Sequence, residues 1–247
     1  MTENHKLDLY QKVQGIRDSL NISDADCPLD VIALIQNNMP DISFDYKHYH
    51  TGGMHGMLLP DLDNIDRHMI VLDNQRTRRE QNFDCAHELM HYHLHDHRSP
   101  HSFSFDDDEK IVPVPVPFYE WQANEGAAEL LVPFSQFAPY TKMYRRKFFT
   151  LKGLIDFRNL MSQVFNVTPV IIRTRLDSMR YEIFQFLSGT PLCDIELLSA
   201  TQQESRGINV TSLNEAEDKS FEEAFSWMQD SGPRKYRKVL TERGLRT

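Results

Sequence analysis

Apolar residues recur at helical steps at the start of the chain and then switch to short alternating runs. Leu9, Val13, Ile16 and Leu20 mark one face of an opening helix. Asp26-Cys27-Pro28 has the form of a cap followed by proline at a first helical position, and Leu29, Val31, Ile32, Leu34 and Ile35 continue a second helix that Pro40 ends. Ile42-Ser43-Phe44-Asp45-Tyr46 alternates as a half-buried strand does. Gly52-Gly53 marks a turn, Gly56 to Pro60 a second strand, Asp61 to Asp66 a polar turn, and His68 to Leu72 a third strand. The segment from Arg78 to Ala86 has no Gly or Pro, and Phe83, Ala86, Leu89, Met90 and Leu94 lay an apolar stripe along a helix.

Asp96 to Pro117 reads as a long irregular stretch with an acidic run, Asp106 to Glu109. It closes on Val112-Pro113-Val114-Pro115-Val116-Pro117, where alternating proline excludes a helix and a central strand. Helices resume over Phe118 to Leu131, over Leu151 to Val164 with Thr150 as cap, and from Thr168-Pro169 through Leu176. Beyond residue 177 the pattern weakens to one amphipathic stretch at Phe221, Phe225 and Met228 and a basic end. The expected class is α+β, with a sheet of about three strands between residues 42 and 73 packed against several helices. Residues 1–176 are expected to form one domain ending in a helix pair, and 177–247 an extension of unassigned role.

Composition narrows the class only a little. The 247 residues are 40% hydrophobic and 26% charged, as in ordinary globular proteins. No apolar run approaches bilayer length, and the polar start Met1 to Lys6 lacks a signal peptide's apolar core, so the expectation is a cytoplasmic protein with no membrane partner. Cys27, Cys85 and Cys193 are odd in number and far apart, unlike a disulfide framework or a cysteine metal site. The net charge of −9 disfavours direct nucleic-acid binding, although basic runs occur at 142–147 and 234–238.

His87-Glu88-Leu89-Met90-His91 changes the picture most. On a helix, positions i and i+4 share a face, so both imidazoles can reach one metal ion. Glu88, on the same turn, can hold a water and take its proton, which suits amide hydrolysis with a zinc cofactor. A surface helix rich in His and Glu is the competing explanation. Catalytic zinc usually takes three protein ligands. His97 stands ten residues after His87, but Leu94 occupies the place where a glycine would have to turn the chain back. Glu120 begins a helix whose small residues Ala123 and Ala127 permit close approach to the His87 helix. Asn124, one turn later, could orient a ligand histidine through its other ring nitrogen. Glu125 and Glu129 compete for the same role. His95 shares a face with His91 and could take adventitious metal. His48, His50, His55, Tyr119, Tyr140 and Tyr144 are candidates for stabilising an oxyanion.

Two stretches resemble the ImmA/IrrE family of metallopeptidases. Arg79, Phe83 and Ala86-His87-Glu88-Leu89-Met90-His91 follow its first motif with one extra residue after Arg79. Glu120, Ala123-Asn124, Ala127 and Leu130-Leu131-Val132-Pro133 follow the second, with Gly126 in place of the usual Phe and Val132 in place of Met. Phe165 to Leu176 is similar to the helix pair that follows, and the likeness spans roughly residues 25 to 177. The resemblance implies a zincin-like fold and a zinc endopeptidase whose substrate is a partner helix-turn-helix repressor of a bacterium, phage or mobile element. It implies His87, His91 and Glu120 as zinc ligands and Glu88 as base. Two further classes stay open: a metal-containing module that sequesters a repressor without cutting it, and a transcription factor using 151–176, with Arg173 and Arg175, on DNA.

Overall fold

The computed structural model describes residues 6–49, 55–61, 64, 67–95, 103–105, 111–113 and 117–215. The chain runs through α1 (Lys6–Ser19), α2 (Val31–Asn38), β1 (Ile42–Lys47), β2 (Gly56–Pro60), β3 (His68–Asp73), α3 (Arg78–Leu94), β4 (Phe103–Phe105), β5 (Ile111–Pro113) and α4 (Pro117–Leu131). It continues through α5 (Phe134–Met143), α6 (Leu151–Val164), α7 (Pro169–Ser178), α8 (Arg180–Leu187) and α9 (Ala200–Ser205). The fold is α+β and zincin-like, as expected. It divides into two units, one of residues 11–131 and 164–168, the other of residues 1–10, 132–163 and 169–247.

The first unit is built on a three-stranded sheet in the order β1-β3-β2. β3 pairs parallel with β1 and antiparallel with β2. Its central place explains its apolar run: Ile70, Val71 and Leu72 are buried. β2 is an edge, in register Gly56 to Leu72 and Leu58 to Ile70. α3 starts at a capping box in which the Thr77 backbone N–H donates to Glu80 at 2.8 Å and the Thr77 side chain accepts from the Glu80 N–H. Arg76 adds a two-point pair to Asp84, at 2.7 and 3.2 Å.

α2 begins differently from the expectation. Its cap is Asp30, which accepts from the Ala33 N–H. Asp26 instead closes a short turn, its Oδ2 accepting from the backbone N–H and the hydroxyl of Ser23, each at 2.7 Å, and Cys27 after it is extended. Asn82 on α3 also ties this start down: it accepts from the Val31 N–H at 2.8 Å and donates to the Leu29 carbonyl at 2.9 Å. Buried backbone groups left without such partners cost about 1–3 kcal/mol each.

The irregular reading of 96–117 needs correction at two places, since β4 and β5 pair antiparallel, Phe103 opposite Pro113. Both strands of a two-stranded sheet are edges, where proline is tolerated. The acidic run 106–109 and the segments expected at 221–228 and at the basic end lie outside the described residues.

The second unit is helical. Phe137, Phe148 and Phe157 are buried together, with the Phe148 and Phe157 centroids 4.7 Å apart. Thr150 caps α6, accepting from the Gly153 N–H at 3.0 Å. Lys6 and Glu182 form a buried ion pair at 3.0 Å. Arg175, a candidate DNA contact in the helix-turn-helix reading, is fully buried: it donates to the Val132 carbonyl and to the Tyr10 hydroxyl. That side chain holds the unit together and does not face a ligand.

Candidate metal centre

α3 and α4 pack closely because small residues line their contact. Ala86 on α3 and Ala123 and Ala127 on α4 are fully buried. At Gly126 a side chain would collide: a Cβ there would lie 2.9 Å from the Met90 sulfur. Met90 fills the space that a larger residue at 126 would take, which accounts for glycine at that position of the motif.

This packing brings three donors together. Among the described residues, His87, His91 and Glu120 form the one group able to hold a metal ion, their ligand atoms all within 4.8 Å of one another. The Nε2 atoms of His87 and His91 are 3.0 Å apart. The Glu120 carboxylate lies 3.4 Å from Nε2 of His87 and 3.5 Å from Nε2 of His91. A tetrahedral ion with bonds near 2 Å has ligands about 3.3 Å apart. Two neutral imidazoles and one carboxylate at these spacings therefore fit such an ion and leave a fourth position open. The carboxylates of Glu125 and Glu129 are not in this group, and His97 lies outside the described residues.

Asn124 meets His87 from the far side. Its amide nitrogen donates to the Glu120 carbonyl at 2.9 Å, so its oxygen is the end that faces Nδ1 of His87 at 3.2 Å. That contact places a hydrogen on Nδ1 and leaves Nε2 aimed at the shared point. Burial works against a charged His87, but the carboxylates of Glu120 and Glu88 and the Asn124 contact together outweigh it and raise its pKa. Burial and the charge of His87 hold His91 well below the usual histidine range. The His87 contact lowers Glu120.

Glu88 is buried on the neighbouring face of α3. Burial pushes its carboxyl up to about 7, against the pull of His87, and the Leu58 backbone N–H on β2 donates to it. Gly56, on the same strand, passes so close that a Cβ there would lie 3.0 Å from Oε1 of Glu88. Cys85 is buried and its thiol is pushed well above its ordinary value by burial.

Three neighbours escaped the sequence reading in whole or part. Tyr49 lies near Glu88, and burial, then that carboxylate, push its hydroxyl up to about 12. Gln122 is buried on α4 and meets His95, which caps α3. Of the oxyanion candidates, Tyr119 stacks on His95, His48 lies 3.7 Å from Asp73, and His50 falls outside the described residues. Tyr140 and Tyr144 belong to the helical unit.

Comparison with known proteins agrees with the motif. Residues 34–177, more than half of the chain, match the family described as IrrE N-terminal-like domain, a peptidase family. No curated protein matches the sequence. A solved structure of a Mycobacterium tuberculosis transcriptional regulator is similar at 15% identity over 72% of this chain and 48% of that one, with a TM-score of 0.44. The present chain thus spans about half the length of that regulator. No helix among the described residues is long and apolar enough to cross a membrane. The chain belongs to the IrrE N-terminal-like family, and its matched region is a metallopeptidase-like domain.

Proposed function

We propose that the chain is a zinc-dependent endopeptidase that cuts a partner transcriptional repressor. The observation that carries this reading is the convergence of two Nε2 atoms and one carboxylate at tetrahedral spacing beside a buried glutamate. His87, His91 and Glu120 would hold the zinc, and Asn124 would orient His87. An ion bound there supplies Lewis-acid polarisation of a water and of the scissile carbonyl.

Glu88 would take the proton of the attacking water and return it to the leaving amine. A carboxylate beside the bound water can accept that proton and release it again. Gly56 leaves it room, since a Cβ there would lie 3.0 Å from its Oε1. Glu120 is 38% exposed at its side chain, so among the described residues the site is open to solvent on that side. β2 is an edge strand against Glu88, and an extended substrate could pair with its free side. The repressor as substrate is what the resemblance to the ImmA/IrrE metallopeptidases implies.

The test incubates the purified chain and zinc with a candidate helix-turn-helix repressor, and separately with DNA. Glu88→Gln serves as control. Fragments formed by the wild type alone support the reading. A stable, uncut complex would make the chain a sequestering module, and salt-sensitive DNA binding would make it a transcription factor.

A further inference from the structure

The two histidines of the centre are held from behind in different ways. Asn124 meets Nδ1 of His87 directly. Nδ1 of His91 instead lies 2.9 Å from Nδ1 of His95, one turn further along α3. The opposite ring nitrogen of His95, Nε2, lies 3.1 Å from Oε1 of the buried Gln122 on α4. The His95 ring is stacked on Tyr119, with centroids 4.3 Å apart and planes 19° from parallel. The line Gln122–His95–His91 therefore crosses from α4 to α3 and ends at the Nε2 atom that faces His87 and Glu120.

We propose that Gln122 and His95 form a proton-ordering relay that fixes the tautomer of His91 and so presents its Nε2 lone pair to the metal. The proposal rests on reading His87, His91 and Glu120 as the metal site. The order of hydrogens follows from the acceptor at one end. A carbonyl oxygen can only accept, so Nε2 of His95 carries the hydrogen and Nδ1 of His95 carries a lone pair. That lone pair requires a hydrogen on Nδ1 of His91, which leaves Nε2 of His91 without one. The reverse order would put a hydrogen on Nε2 of His91, and that ring could not ligate through the atom that faces the other two donors. His95 and Gln122 are positioning residues; neither touches the reacting atoms. Stacking on Tyr119 keeps the His95 ring from swinging out of line.

Two measurements decide it. Long-range proton–nitrogen NMR correlations on the metal-free, full-length chain report which ring nitrogen of each histidine carries hydrogen. The expected pattern is Nδ1–H at His91 and Nε2–H at His95, and Gln122→Met should mix both tautomers at His91. Zinc affinity, read by competition with a chelator, is the second. His95→Leu should bind zinc about 10–100-fold more weakly. His95→Asn, which keeps an acceptor oxygen near the place of Nδ1, should recover most of that loss. Nε2–H at His91 in the wild type overturns the relay, as does unchanged zinc affinity in His95→Leu. An unchanged His91 tautomer in Gln122→Met also overturns it. Absence of zinc binding by the wild type would sink the metal reading instead, and the metal-free spectra still decide the relay.

Discussion

Gly56 and Glu88 stand so close that one added methyl on the strand would lie 3.0 Å from the carboxylate oxygen on the helix. The strand and the proposed base are thus fitted to each other without slack. Gly56→Ala should displace the carboxylate by a few tenths of an ångström and lower kcat by about tenfold or more, since small misplacements of catalytic groups are costly. Zinc content should not change, because none of the three donors touches this position. Wild-type kcat in Gly56→Ala would show that Glu88 does not depend on this fit.

Glu88 also sets a pH dependence in the metal-free protein. Its folded pKa is raised from 4.5 to about 7, so the fold favours the protonated acid. Stability from this group is therefore fully present below about 4.5, falls as pH rises towards 7, and stays low above it. The difference between those values corresponds to about 3 kcal/mol. Metal-free Glu88→Gln lacks this loss. Denaturant unfolding should show it more stable than the wild type at pH 8, with the gap closing towards pH 5. A gap that is the same at both pH values contradicts the assignment.

Met90 and Gly126 share one space between α3 and α4. Gly126→Phe alone should destabilise by about 3 kcal/mol or more through overpacking, and Met90→Ala by about 2–5 kcal/mol through a cavity. Together they should cost clearly less than the sum, by about 0.5–3 kcal/mol in a double-mutant cycle. Additive costs would mean that the two positions do not compete for volume.

Much of this arrangement was legible in the residues. The strands at 42, 56 and 68 alternate or run apolar, and α3 and α4 carry strong patterns, so their places follow from local periodicity. His87, Glu88 and His91 follow from spacing on one helix, but the sequence left Glu120 in competition with Glu125 and Glu129, and only the packing of α4 on α3 brings the Glu120 carboxylate beside both imidazoles. Local reading failed where a side chain had another partner. Asp26 looked like a cap, but Ser23 claims its carboxylate. α5 carries Pro139 inside it and follows directly on Pro133, and these prolines hide a helix from pattern reasoning. The Gln122–His95 pair was illegible for a different reason: the two residues lie 27 positions apart, and only the packing of α4 on α3 makes them neighbours.

Zinc content reports whether His87, His91 and Glu120 hold the metal. Equilibrium dialysis followed by elemental analysis should give about one zinc per wild-type chain, as a single three-ligand site requires. The double variant His87→Ala, His91→Ala should bind none, and Glu120→Ala should bind far more weakly. Glu125→Ala, Glu129→Ala and His97→Ala should keep the wild-type content. Full zinc in Glu120→Ala, with loss in any of those last three, would rule out this ligand set.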